Sequence, residues 1–259
     1  MLGYYRALFP TNVTVDFVHI NKINNHYKLI ILPYPVMISE GAAKAIREYV
    51  RNGGSVVAEA RLAWNDDRGR AKEIIPGFGL NEVCGCRETA VQMTPSGKTE
   101  VILENGERFK GVLYQETLAP HPVPLPASGE RVPRSGGEGH PMAHFADGSP
   151  AIVTNQFGKG RIMIIGTFLG SAYESDRDES LGKFLRSMLD WGGVQHPTVA
   201  TAGVEIRTLQ SGADRIAIAF NHNDSPAEVA ISGVDLETGA RVMQKMLDPQ
   251  GVWIVRLSR

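Results

Sequence analysis

Cysteine is nearly absent from this 259-residue chain: Cys84 and Cys86 are the only two. Their spacing is too tight for an ordinary stapling disulfide, which points to a reducing cytoplasm rather than a disulfide-built secreted fold. Charge of one sign is lacking too. With 27 basic and 28 acidic residues, the chain has no long-range field to gather a phosphate backbone or an anionic membrane, so nucleic acid is excluded as an expected partner. Long apolar runs are missing as well. The longest, residues 28–33 and 161–166, fall far short of the roughly 20 residues that a membrane span requires. No secretion signal is read at the N-terminus.

What is present is a hydrophobic content of 42%, enough for a sizeable buried core. Residues 4–9 read as the end of a helix stopped by Pro10, and residues 13–18 as a β-branched strand. The apolar run 28–33 has the pattern of a strand buried on both faces. Ser39 is a natural N-cap for a helix over residues 40–51, which Asn52-Gly53-Gly54 ends, and residues 55–60 form the next buried strand. This rhythm predicts an α/β fold around a parallel sheet. Between residues 87 and 115 the pattern becomes hairpins, with turns at Pro95-Ser96-Gly97 and Asn105-Gly106. The rhythm then returns with strands over 151–154 and 161–165 and a helix over 180–191. We place a boundary at residue 197, with a first domain over 1–197 and a small all-β sandwich over 198–259. Residues 119–140 are so rich in proline and glycine that we expect a disordered insert there.

Several motifs in this order carry a family likeness. Tyr5-Arg-Ala-Leu8, Val15-Asp-Phe-Val-His19, Tyr27-Lys-Leu-Ile-Ile-Leu-Pro33 and Tyr49-Val-Arg-Asn-Gly-Gly-Ser55 come first. Asp147-Gly-Ser-Pro-Ala-Ile-Val153, Phe157-Gly-Lys-Gly-Arg161 and Ile165-Gly-Thr167 follow. Together they resemble the trimerisation domain of family 42 β-galactosidases, and the tail with Ala219-Phe-Asn-His-Asn223 resembles that family's C-terminal β domain. The resemblance implies a flavodoxin-like sheet of the class I glutamine amidotransferase kind, whose role is to hold subunits together. It also implies a strand and most of a helix before the position of Tyr4, so the sheet is expected to be incomplete at its N-terminus and the chain to depend on a partner. In that family both catalytic glutamates sit in a (β/α)₈ barrel of roughly 250 residues, about 5 Å apart in a retaining mechanism. No part of such a barrel is read here, so no catalytic residue is carried over. The implied partners are further copies in a homo-oligomer, a trimer, or a barrel-containing chain.

The residues themselves offer few rival sites. An amidotransferase-like hydrolase with a diverged site would need an activated Cys or Ser on a sharp strand-to-helix turn; the strand over 55–60 runs into Glu59-Ala60-Arg61-Leu62 instead. Glu59 and Glu116 are a glycosidase-like pair on paper only, since nothing in the sequence places them together. The seven histidines are scattered and two cysteines fall short of a zinc site, so neither metal nor cofactor is expected. The loop over residues 61–69 leaves the carboxyl end of a parallel strand, where α/β folds bind ligands. There Trp64 is a candidate to stack on a sugar, with Asp66, Asp67 and Arg68 hydrogen-bonding its hydroxyls. The competing reading of that loop is a solvated segment packed against a barrel or a neighbouring subunit.

Overall fold

The computed structural model describes residues 1–24, 26–120, 137–195 and 201–257. The chain divides into two compact units, one of Met1–Tyr4 with Phe17–Val194 and one of Tyr5–Asp16 with Gln195–Arg259. The second unit thus includes an N-terminal segment that lies far from the rest of it in sequence.

The first unit is built on one seven-stranded mixed sheet. Helix α1 (Leu2–Leu8) precedes β1 (Leu29–Leu32), helix α2 (Glu40–Arg51) and β2 (Ser55–Ala58). Ser39 caps α2 as its sequence demands, with Oγ accepting from the Ala42 N–H at 3.2 Å. Because α2 carries the chain back, β1 and β2 run parallel, and β2 is parallel to β7 (Gly160–Ile165) on its other side. Between them in sequence come α3 (Leu80–Cys84), the long β3 (Cys86–Leu103) and β4 (Arg108–Pro120), β5 (His140–Phe145) and β6 (Pro150–Phe157). The sheet order is β1-β2-β7-β6-β5-β3-β4, and every pairing beyond β7 is antiparallel. Helices α4 (Leu169–Asp176) and α5 (Glu179–Trp191) complete the unit. Its core packs Ile46 and Val50 of α2 on Val56, Ala58, Ile162 and Ile164, all essentially without exposure.

Five expectations are corrected. The sheet is mixed, with only three parallel strands. Residues 13–18 form no strand; β-branching suits a pleated surface but makes a strand only where a ladder partner exists, and Asn12 just before them is engaged elsewhere. Strand β1 lies at the sheet's edge, with only Ile30 buried, so its apolar run does not mark burial on both faces. The hairpin over 87–115 is longer than read: Pro95-Ser96-Gly97 is an irregularity inside β3, where the register against β4 shifts between Met93 and Lys98. The strands on either side also claim the ends of the expected insert, since Pro120 pairs with Cys86 and His140 with Thr154. The expectation of disorder therefore falls on residues 121–136, outside the described residues.

The second unit is antiparallel. A five-stranded sheet has the order β12-β11-β14-β9-β8, formed by β8 (Val204–Ser211), β9 (Asp214–Asn221), β11 (Gly233–Asp235), β12 (Arg241–Val242) and β14 (Val252–Leu257). A separate pair joins β10 (Ala227–Val229) to β13 (Lys245–Leu247). Trp253, Val255, Ala219, Ile206 and Val229 fill its core. Asn12 engages the β8 edge, its Oδ1 accepting from the Ile206 N–H at 2.8 Å. The short strands β11, β12 and β13 escape a reading from alternation, because two or three residues are too few to show a period.

Candidate functional site at the carboxyl ends of the parallel strands

Side chains from the ends of β1, β2 and β7 meet residues of β3 and β4 at one place in the first unit. Glu59 follows β2 directly and is almost wholly buried. Its Oε1 accepts from the Gly170 N–H at 2.8 Å and its Oε2 from the Tyr34 N–H at 3.1 Å. One carboxyl therefore ties the exit of β1 to the start of α4. Burial pushes its pKa up, against the pull of the Gly170, Tyr4 and Tyr34 contacts. The buried Tyr4 hydroxyl beside it is pushed up as well, first by burial and then by the nearby Glu59 charge.

Two residues further on, Arg61 adopts a left-handed conformation, φ 63°, and Ala63 another at 54°. A non-glycine residue there is strained and persists only where its surroundings over-determine it. They do so here. The Arg61 N–H donates to Glu116 Oε2 at 2.7 Å, its guanidinium pairs with Glu88, and the same guanidinium lies 3.9 Å from the centre of the Trp64 ring. Glu116 is completely buried on β4, and its own N–H donates to the Gly166 carbonyl at 2.8 Å. Only glycine fits at 166, because a Cβ would stand 2.1 Å from the Glu116 carbonyl oxygen. Burial raises the Glu116 pKa well above the carboxylate range, and the Glu88 carboxylate adds to the rise against the opposing Arg61 N–H.

The sequence-selected residues fall in different settings. Trp64 is half-buried with one ring face under Arg61. Asp66 closes its own loop: Oδ1 accepts from the N–H groups of Arg68 and Arg70, each at 2.9 Å, and Oδ2 lies 3.6 Å from the Lys72 ammonium. Those bonds, led by the one from Arg70, hold its pKa below the usual value. Asp67 and Arg68 are exposed. The structure thus brings Asp66 to the Arg68 backbone, while the network around Arg61, Glu88 and Glu116 escaped the sequence reading. Charged residues at the very exit of a buried strand, Glu59 and Arg61, were the available signal. Glu88 and Glu116 needed the β3–β4 register. Glu59 and Glu116, the pair suggested on paper, are bound to different partners. Cys84 and Cys86 are fully buried, and burial raises both thiols, which disfavours the reactive thiolate. Among the described residues no cluster of three or more His, Cys, Asp or Glu could hold a metal ion. Among the same residues no helix is long and apolar enough to cross a membrane.

Beside this buried network the exposed Tyr34 and the half-buried Tyr114 lie against the buried Phe168. Tyr34, also at positive φ, stacks on Phe168 with ring centres 4.5 Å apart, and Tyr114 meets the edge of Phe168 at 5.7 Å. Tyr34 and Met37 are nonetheless 56% and 55% exposed. The loops after β1 and β2 are zipped together beneath them, by Ala63 N–H to the Pro35 carbonyl at 2.8 Å and Asn65 N–H to that of Val36 at 2.9 Å.

The site thus lies in a mixed-sheet α/β unit, and the second unit is an antiparallel β domain. The chain belongs to the β-galactosidase trimerisation domain family, whose model matches residues 1–195. The β-galactosidase BgaB of Geobacillus sp. strain Y412MC61 is 25% identical over 252 residues, covering 95% of this chain and 33% of that protein. The β-galactosidase LacA of Lactobacillus acidophilus is 29% identical over 172 residues, 65% of this chain and 24% of that one. In fold, the crystal structure of a β-galactosidase from Bacillus circulans sp. alkalophilus matches 99% of this chain and 37% of its own, with a TM-score of 0.79 at 19% identity. The chain thus spans about a third of the length of the first of these relatives.

Proposed function

We propose that this chain is a non-catalytic association module of a β-galactosidase-like glycoside hydrolase, joining copies of itself into a homotrimer. The observation that carries the reading is the rim of Tyr34 and Met37, more than half exposed yet fixed from below. A preorganised aromatic surface loses little entropy on docking, and aromatic anchors dominate interface energetics. Sedimentation velocity on the purified chain tests it: a concentration-dependent trimer is expected, and the double variant Tyr34→Ala/Met37→Ser should shift it to monomer. A chromogenic galactoside should not be turned over; turnover abolished by Glu59→Gln or Glu116→Gln would overturn the non-catalytic part.

Because the chain spans about a third of BgaB, a barrel-containing chain is a second candidate partner for the same rim. A flavodoxin-like origin of the first unit is supported by the β1-α2-β2 crossover and the parallel β2-β7 pair. A reducing, cytoplasmic setting is supported by two buried free thiols. A carbohydrate-binding accessory role is favoured only by the half-exposed Trp64 beside the exposed Asp67 and Arg68; sugar titration against Trp64→Ala decides it, and no signal from either form removes it.

A further inference from the structure

Tyr34, the exposed aromatic of the rim, owes its place to one carboxyl beneath it. The β1–β2 ladder ends where the Glu59 N–H donates to the Leu32 carbonyl at 3.2 Å. Pro33, next along, has no N–H to give. Tyr34 carries the first backbone donor after it, and that N–H goes to Glu59 Oε2 at 3.1 Å. Glu59 Oε1 accepts from the Gly170 N–H at 2.8 Å, two residues past Phe168, whose ring stacks on Tyr34 at 4.5 Å. Both halves of the aromatic stack therefore hang on the two oxygens of a single side chain, itself 2% exposed. The fit is close. A Cβ at residue 170 would stand 2.6 Å from Tyr4 Cδ2, so glycine is what lets this backbone reach the carboxyl. Tyr34 stands at φ 58°, a strained conformation for a tyrosine that persists only where its surroundings impose it.

We propose that Glu59 is the positioning residue of the association surface: its carboxylate holds Tyr34 and the Phe168 segment in docking geometry and makes assembly depend on pH. This role presupposes that the rim joins copies of the chain. An ionised carboxylate accepts at both oxygens, whereas a protonated one turns one oxygen into a hydroxyl that must itself donate. With one acceptor weakened, the longer bond, to Tyr34, is the one that gives way, and the tyrosine relaxes from its strained conformation. Burial pushes the Glu59 pKa up, so this happens above the ordinary glutamate range. The titratable groups that act on Glu59 among the described residues are the Tyr4 hydroxyl of α1 and the Met1 ammonium, and both oppose the rise. The exit of β1 and the start of α4 offer it backbone N–H groups. Assembly is therefore present above the Glu59 pKa and lost as pH falls through it.

Sedimentation velocity of the whole chain from neutral to mildly acidic pH, with wild type, Glu59→Gln and Tyr34→Ala/Met37→Ser side by side, tests the role. Glutamine keeps one acceptor and turns an amide donor toward the other N–H. Glu59→Gln should fold yet dissociate about tenfold more readily, the effect of one buried hydrogen bond, and its assembly should no longer respond to pH across the range where the wild type comes apart. Glu59→Gln assembling as the wild type does, or keeping the wild-type pH response, overturns the role. If Tyr34→Ala/Met37→Ser is then monomeric, the association reading stands without it; if both variants are trimers, the association reading falls with it. Should Glu59→Gln fail to fold, the Tyr34 and Gly170 amide protons of the wild type, followed by NMR, replace it. A shared titration that coincides with loss of the trimer supports the role; amides that titrate apart, or a trimer that persists through their titration, contradict it.

Discussion

Both units bury a carboxyl group, and they treat it in opposite ways. In the second unit Asp235 Oδ1 accepts from the N–H groups of Glu237 and Thr238 at 2.8 and 3.0 Å. Its Oδ2 accepts from Trp253 Nε1 at 2.8 Å and lies 3.6 Å from the Lys245 ammonium. The bond from Thr238, then that from Trp253, bring its pKa down to about 2. In the first unit Glu116 receives one N–H, from Arg61, and burial pushes its pKa well up. Burial alone does not decide whether a carboxyl is ionised; the supply of donors does. The Asp235 cluster is closed and leaves nothing over for chemistry. The cluster at the end of β2 leaves polar atoms unpartnered, strains Arg61 and Ala63, and lies beneath an exposed aromatic rim.

That contrast can be broken by substitution. Arg61→Met leaves Glu88 buried without its counter-ion and should cost about 3–5 kcal/mol, read by urea denaturation. Trp253→Phe keeps the bulk but removes a donor from Asp235, so its carboxyl titrates higher and the melting temperature falls. The pH dependences should run in opposite directions. Asp235, with its folded pKa depressed, contributes stability that is present above the unfolded value and lost as pH falls through about 2. Glu116, with its folded pKa raised, contributes stability that is full below the unfolded value and lost as pH rises through the folded one. Glu116→Gln should remove the second dependence and spare the first, as seen by calorimetry across pH. Ser39→Ala, outside both clusters, should cost about 1 kcal/mol with no change in pH profile. Lys183→Ala breaks an exposed i, i+4 pair with Glu179 and should change stability by less than about 0.5 kcal/mol.

Local signals in the sequence were read where local physics decides. The Ser39 cap, the 40–51 helix, the buried run after Gly54 and the Asn105-Gly106 turn all stand in the structure as their residues require. Decisions made by distant partners were not legible. Residues 13–18 carry every mark of a strand and form none, while Pro95-Ser96-Gly97 carries the marks of a turn and lies inside β3. The site divides along the same line. The loop after β2 was singled out from its place in the chain, but Glu88 and Glu116 join it only through the β3–β4 register. Asp66, chosen as a sugar contact, spends its acceptors on its own loop, which composition does not reveal.

The central claim is that the aromatic rim of the first unit serves association. Sedimentation velocity across a range of concentrations, on the wild type and on Tyr34→Ala/Met37→Ser, tests it most directly. The account predicts a reversible trimer that the double variant converts to monomer with its melting temperature little changed. A wild-type chain that stays monomeric at every concentration, or a variant that assembles as the wild type does, would contradict it.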